Sequence, residues 1–437
     1  MQHPRHKIAN LEAVLKNIIM RYRALGLAAF VAVALTWTGM AAEPFGDGRL
    51  LDATLRLDYI FSGAYGDCDI AVAGIHKFDG WAGRRVNMKN LAVQGDGQLT
   101  MTDKATGDTL YRMSFCTLFQ EWQGTEEARR TRRSFENVFL VPMPAAPVNV
   151  NVRLLDSRNN VCADFVHPVD PSDILISPAD ITAAPECRLL LGDGNSRERI
   201  DVVIMAEGYA RRDRKKFFRD AEEAVRNLVA HEPFKSMQDR FNIIAAATLS
   251  EDSGVSVPRD GVWKRTALGS HFDTFYSDRY LTTEKQFRMH DALAGLPYES
   301  IIILANTDTY GGGGIYNLYT LASTGHAKFG PVVVHEFGHS FAGLTDEYAY
   351  DGTAPADQTA DVEPWQKNVT TQVDFASKWQ DLYEQGVAGL VEGAAYQPKG
   401  YWRACEDCRM RTNESPEFCP VCRRAIEQTI RYLTEEL

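Results

Sequence analysis

The sequence has no surplus of positive charge. Its 47 lysines and arginines are outnumbered by 58 aspartates and glutamates, which gives a formal net charge of -11. No long basic block occurs beyond the N-terminal region. A DNA- or RNA-binding surface needs a local excess of cations, so nucleic acid is excluded as the main partner. Disorder is excluded as well, because 45% of the residues are hydrophobic and only 24% are charged. At 437 residues the chain has room for roughly two or three domains, each with its own core.

One apolar run stands apart from the rest: "ALGLAAFVAVALTWTGMAA", Ala24 to Ala42, preceded by Arg21 and Arg23. Cations, then an apolar stretch, then small residues form an export signal, with cleavage expected near Ala41 or Ala42. The stretch before it is long for such a signal, and a start at Met20 leaves one of ordinary length. The alternative is an uncleaved anchor, and only then does the chain have a membrane partner. The expected location is the periplasm or the extracellular space.

Residues 48–168 lack a long helical period and lack any cluster of chemically useful side chains. They hold short alternating or apolar runs such as "TLRLDYIF", "NVFLVPMP" and "VNVNVRLLD". These predict strands of a small β-sandwich or barrel-like domain. "HPVDPSDILISPADITAAPE", rich in proline and aspartate, reads as a linker. The pattern then changes. "RIDVVIMAEGY", "RFNIIAAATLS" and "SIIILANTDTY" are buried strands, and "RRDRKKFFRDAEEAVRNLVAH" is an amphipathic helix. The four glycines Gly311 to Gly314 precede a further strand candidate, Ile315 to Ala322, taken as a cleft edge able to pair with an extended substrate. The expected organisation is a signal or anchor over 1–42, a β-sandwich-like domain over 43–168, a linker over 169–188 and a catalytic domain over 189–437. The fold class is α+β multidomain.

Histidine is scarce, ten in the chain, yet two fall four residues apart in "VVVHEFGHSFAGLTDEY", Val332 to Tyr348. Residues i and i+4 share a helix face, so His335 and His339 can aim at one ion. Glu336 sits beside them, placed to act as the general base on water bound to zinc. Catalytic zinc takes three protein ligands, and Asp346 and Glu347 are the nearby candidates for the third. Gly343 lets the helix end and the chain turn back towards the ion.

This stretch resembles the catalytic segment of zinc metallopeptidases named after a bacterial immunoglobulin A peptidase. "RIDVVIMAEGY", "SEDSGVSVP", "GGGGIYNLYTLAS" and "CRMRTNESPEFCPVC" are similar to other stretches of that family's catalytic domain. The β-rich segment is similar to the N-terminal domain that often precedes it. The resemblance implies a zincin fold related to metzincins, a catalytic zinc and hydrolysis of peptide bonds in a protein or peptide substrate. It does not imply immunoglobulin A as that substrate. Metzincins would place glycine at 342 and a ligand at 345, where this chain has Ala342 and Thr345. Gly343 and Asp346 each fall one residue later, so Asp346 is preferred over Glu347 as the third ligand.

The tail "CEDCRMRTNESPEFCPVC" carries Cys405, Cys408, Cys419 and Cys422, half of the chain's eight cysteines. Paired C-x-x-C units are a signature of structural zinc, whereas export favours disulfides. Disulfides are the preferred reading, with a second zinc ion as the alternative. Met410, inside this loop, is either a core methionine or, by resemblance, the methionine packed beneath the zinc. Tyr348, Tyr396 and Tyr401 are candidate donors to an oxyanion. His271 and Asp273 are read as satisfied loop residues, and the sequons at Asn368 and Asn413 carry no weight. The expected function is a secreted or periplasmic zinc endopeptidase. The alternatives are a zinc hydrolase of a non-peptide amide or ester and a non-catalytic, metal-stabilised binding protein.

Overall fold

The computed structural model describes residues 42–181, 184–350 and 360–437. The expected export signal lies outside them, apart from Ala42. Among the described residues no helix is long and apolar enough to cross a membrane.

The N-terminal domain is built on one long strand, Leu50–Ala64. It pairs with Asp67–Asp79 on one side and Arg133–Pro144 on the other. A second, fully antiparallel sheet runs in the order Thr109–Phe115, Gly97–Asp103, Val148–Leu155, Val161–Val169. Leu55, Leu57, Tyr59 and Phe61 alternate along the long strand and are all fully buried. They face the second sheet: Tyr59 Oη lies 2.9 Å from His167 Nδ1, and the Phe61 and Phe115 ring centres are 6.3 Å apart. Period-two alternation thus builds a core between two sheets.

The opposite face of the long strand would ordinarily meet water. Here Arg56 and Asp58 are buried and paired at 2.7 Å. The helix Gln286–Ala292 from the C-terminal half covers them, and Arg56 Nη1 reaches Asp291 at 2.7 Å. Its Nη2 also donates to Phe287 O at 3.3 Å. The two halves therefore share an ionic contact between a buried arginine and an exposed aspartate.

The C-terminal half contains a mixed six-stranded sheet. Its order is Glu186–Leu191, Phe241–Ala247, Ile200–Glu207, Ser300–Ala305, Tyr319–Ser323, Gly312–Ile315. The four inner strands run parallel and the two outermost are antiparallel to their neighbours. Every residue of Ile200–Glu207 is buried, as expected of a strand covered on both faces. Helices Arg214–Leu228, Phe329–Ala342 and Pro420–Thr434 bury apolar side chains in one core, with Phe337 and Phe341 stacked 5.0 Å apart. The molecule is thus mixed α/β with a distinct N-terminal domain.

One expectation needs correction. The strand taken to run from Ile315 to Ala322 is broken by a turn at Tyr316–Leu318. The glycines themselves form the outer strand, Gly312–Ile315. They do so because that strand lies against the histidine helix: a Cβ on Gly314 would stand 2.2 Å from Glu336 O and 2.8 Å from His339 Cβ. The segment read as a linker also contributes structure, since Ser177–Pro178 pairs with His76–Lys77.

Candidate functional site

The helix Phe329–Ala342 carries His335, Glu336 and His339. It ends where the sequence puts glycine. Gly343 has φ +61° and ψ +31°, and its N–H donates to His339 O at 2.9 Å. The N–H of Leu344 donates to Gly338 O at 3.3 Å, so the last carbonyls are capped. A side chain at Gly343 would also collide with Trp365, at 2.6 Å. The chain then reverses and brings Asp346 beneath the helix.

His335 Nδ1 lies 2.9 Å from Arg409 O, and His339 Nδ1 lies 2.6 Å from Leu344 O. A carbonyl only accepts, so both Nδ1 atoms carry the proton and both Nε2 atoms of the neutral rings present lone pairs. Those Nε2 atoms are 3.0 Å apart. Asp346 Oδ1 stands 3.0 Å from one and 3.4 Å from the other. It is buried and has no hydrogen-bond donor. Two lone pairs and an anionic oxygen packed this closely repel one another unless a cation lies between them. Bond lengths near 2.0–2.1 Å would set tetrahedral ligands roughly 3.3 Å apart, so the three atoms fit zinc.

Burial disfavours a charged ring, but the Asp346 carboxylate beside both Nε2 atoms outweighs it, so positive charge among these three atoms is favoured, whether a proton or a metal ion carries it. Burial alone would raise Asp346; the two rings instead hold it well below the usual carboxylate range. Burial pushes Glu336 up.

Asp346 Oδ2 accepts from the Tyr396 hydroxyl. Tyr396 sits in a two-residue hairpin loop, Ala395–Tyr396, between Val391–Ala394 and Gln397–Arg403. Both loop residues have positive φ, +50° and +65°. Such turns favour Asn-Gly, and each non-glycine residue here costs on the order of 1 kcal/mol or more. Bonds to the ligand turn hold it: Ala395 N donates to Asp346 O at 2.9 Å, and Tyr396 N to Tyr348 O at 3.0 Å.

Glu347 faces the other way. Its Oε1 accepts from Asn368 Nδ2 at 3.0 Å and meets Cys422 Sγ at 3.0 Å. With Cys408, Cys419 and Cys422 it forms a second buried cluster able to hold a metal. All eight cysteines are free thiols in the structure, so the disulfides favoured from the sequence are not formed. Met410 is buried, and its Sδ lies where a side chain at Gly338 would go, directly against the histidine helix.

The histidine cluster lies on the wall of a cleft of about 1040 Å³. Tyr348, Tyr350 and Tyr396 line it as a packed group, while Tyr401 is buried elsewhere with Val369. His271 and Asp273 form no second site: His271 Nδ1 bonds Phe272 O at 2.6 Å, and Asp273 pairs with Arg259. The N-terminal domain also reaches the cleft. Asp96 accepts from Trp365 Nε1 at 2.7 Å, and Glu121 accepts from the Tyr280 hydroxyl. Burial raises Glu121 to about 7, against the lowering effect of that hydroxyl.

Sequence reasoning missed Asp96, Glu121 and Asn368. The first two belong to a domain with no chemical pattern of its own. Asn368, discounted as a chance sequon, is fully buried and bonds both Thr345 O and Glu347.

The family model described as IgA Peptidase M64 matches residues 189–388 and 383–430. A second, described as Peptidase M64 N-terminus, matches residues 47–166. No curated protein matches the chain. With most of its length matched, the chain belongs to the M64 peptidase family, metallopeptidases whose substrates are proteins or peptides.

Proposed function

We propose that the protein is an exported zinc endopeptidase with a zincin-like catalytic domain. The observation that carries this reading is the convergence of His335 Nε2, His339 Nε2 and the donorless Asp346 Oδ1 beside Glu336 on one cleft wall. His335, His339 and Asp346 would hold the ion. Zinc bound there supplies Lewis acidity, which makes water easier to deprotonate and polarises a carbonyl. Glu336 accepts the proton from the attacking water and returns it to the departing amine. Tyr348 borders the same space and donates its hydroxyl to the developing oxyanion. The outer strand Gly312–Ile315 offers backbone groups along the cleft, where an extended peptide would add as a further strand. Asp346 is kept in place by Tyr396, and each histidine by the carbonyl on its Nδ1.

The test is a screen of the purified chain against denatured proteins, internal peptides and small amides and esters, with and without a zinc chelator. Chelator-sensitive internal cleavage of protein and peptide is expected. Turnover of small esters or amides with intact protein chains would overturn the endopeptidase reading.

A further inference from the structure

The thiol cluster is not used by the hydrolytic chemistry. We propose that Glu347, Cys408, Cys419 and Cys422 form a second, structural zinc site, in which Glu347 takes the place expected for Cys405. The site goes beyond the catalytic reading and rests on separate residues.

The separations suit a metal and not a disulfide. Cys408 Sγ and Cys422 Sγ are 3.8 Å apart. A disulfide needs about 2.05 Å. Zinc–sulfur bonds of about 2.3 Å put two tetrahedral sulfurs roughly 3.8 Å apart. Glu347 Oε1 is 3.0 Å from Cys422 Sγ and 4.0 Å from Cys419 Sγ, so all four donors surround one point.

Backbone amides already point at the sulfurs as they would at thiolates. Cys408 Sγ accepts from Met410 N at 3.5 Å and Cys419 N at 3.2 Å. Cys419 Sγ accepts from Cys422 N at 3.4 Å, at the start of the helix Pro420–Thr434. The independent sign of a missing ligand is Glu347: the residue is 0% exposed, and its Oε2 has no hydrogen-bond partner. A buried carboxylate oxygen left bare is costly unless a cation meets it. Three thiolates and a carboxylate around a divalent ion leave two negative charges. The buried guanidiniums of Arg403 and Arg409 lie in the field of Glu347 and Cys408.

Cys405 is only half-buried and contacts Cys419 from outside this set. Its counterpart in the sequence pattern is thus supplied from a distant turn. The consequence is mechanical. Glu347 N donates to Met410 O at 2.8 Å, and Asp346 is the preceding residue. An ion held by Glu347 and the tail would fasten the catalytic turn to the last helix.

The experiment is metal analysis of the full chain, grown with zinc and dialysed identically, for wild type, Cys422→Ser, Glu347→Gln and Cys405→Ser. Wild type and Cys405→Ser should each hold two zinc equivalents. Cys422→Ser and Glu347→Gln should each lose one, keep the equivalent at the histidines and melt roughly 5 °C or more lower. Should the serine variant fail to fold, alkylation of native wild type followed by peptide mapping replaces it. Cys408, Cys419 and Cys422 should then be protected until a chelator is added, and Cys405 labelled throughout. One zinc in wild type, a mapped disulfide among these cysteines, or loss of zinc in Cys405→Ser but not in Glu347→Gln would overturn the proposal. Loss of hydrolysis alone bears on the catalytic site and not on this one.

Discussion

Asp346 and Glu347 are neighbours in the chain and carry the same charge, yet they enter two different clusters. The histidine cluster offers nitrogen and oxygen donors, stays slightly exposed (13% for each histidine side chain) and borders the cleft. The thiol cluster offers sulfur and is buried at all four positions. Three protein donors with one side free describe a site that does chemistry; four donors and no free side describe one that holds structure. A turn of two adjacent acids can serve both because the two side chains leave it in different directions, Asp346 towards the histidines and Glu347 towards the cysteines.

The contrast can be broken most severely at the base. Glu336→Gln keeps the shape and removes the proton acceptor. It should retain zinc at the histidines and lose about a hundredfold or more in kcat/KM on a peptide substrate. A rate within a few-fold of wild type would remove Glu336 from the mechanism.

Gly343→Ala tests the turn that separates the two acids. A left-handed alanine costs about 1–2 kcal/mol, and the collision with Trp365 adds about 1–3 kcal/mol. A fall of that combined size in unfolding free energy, with an unchanged denaturant slope, is expected. An unchanged midpoint would mean that the turn tolerates a side chain.

Tyr396→Phe should give the smallest change. It leaves the fold intact and deletes only the hydroxyl on Asp346 Oδ2. Zinc affinity at the histidines, read by chelator competition, should drop by roughly tenfold, with melting temperature nearly constant. An unaltered affinity would leave that hydroxyl without a role in holding the ligand.

Much of this was legible in the sequence because its signals are local. The i, i+4 histidines, the capping glycine and the apolar strands each declare themselves within a few residues. The split between Asp346 and Glu347 depends on what lies opposite each, and that comes from far away: Tyr396 for one, Asn368 and Cys422 for the other. The cysteine tail misled for the same reason. Two C-x-x-C pairs suggest four equivalent sulfurs, but the buried cluster gathers three of them with Glu347, which comes from the turn after the histidine helix. The glycine run shows the third limit. Its composition announced unusual backbone, while its role as a strand pressed on the histidine helix depended on a contact made in space.

Zinc content of Asp346→Ala and Glu347→Ala, measured side by side after the same dialysis, tests the central claim most directly. The account predicts one equivalent in each. In Asp346→Ala it remains with the thiols and hydrolysis is lost; in Glu347→Ala it remains with the histidines. A full complement in Asp346→Ala, together with an empty histidine site in Glu347→Ala, would contradict it.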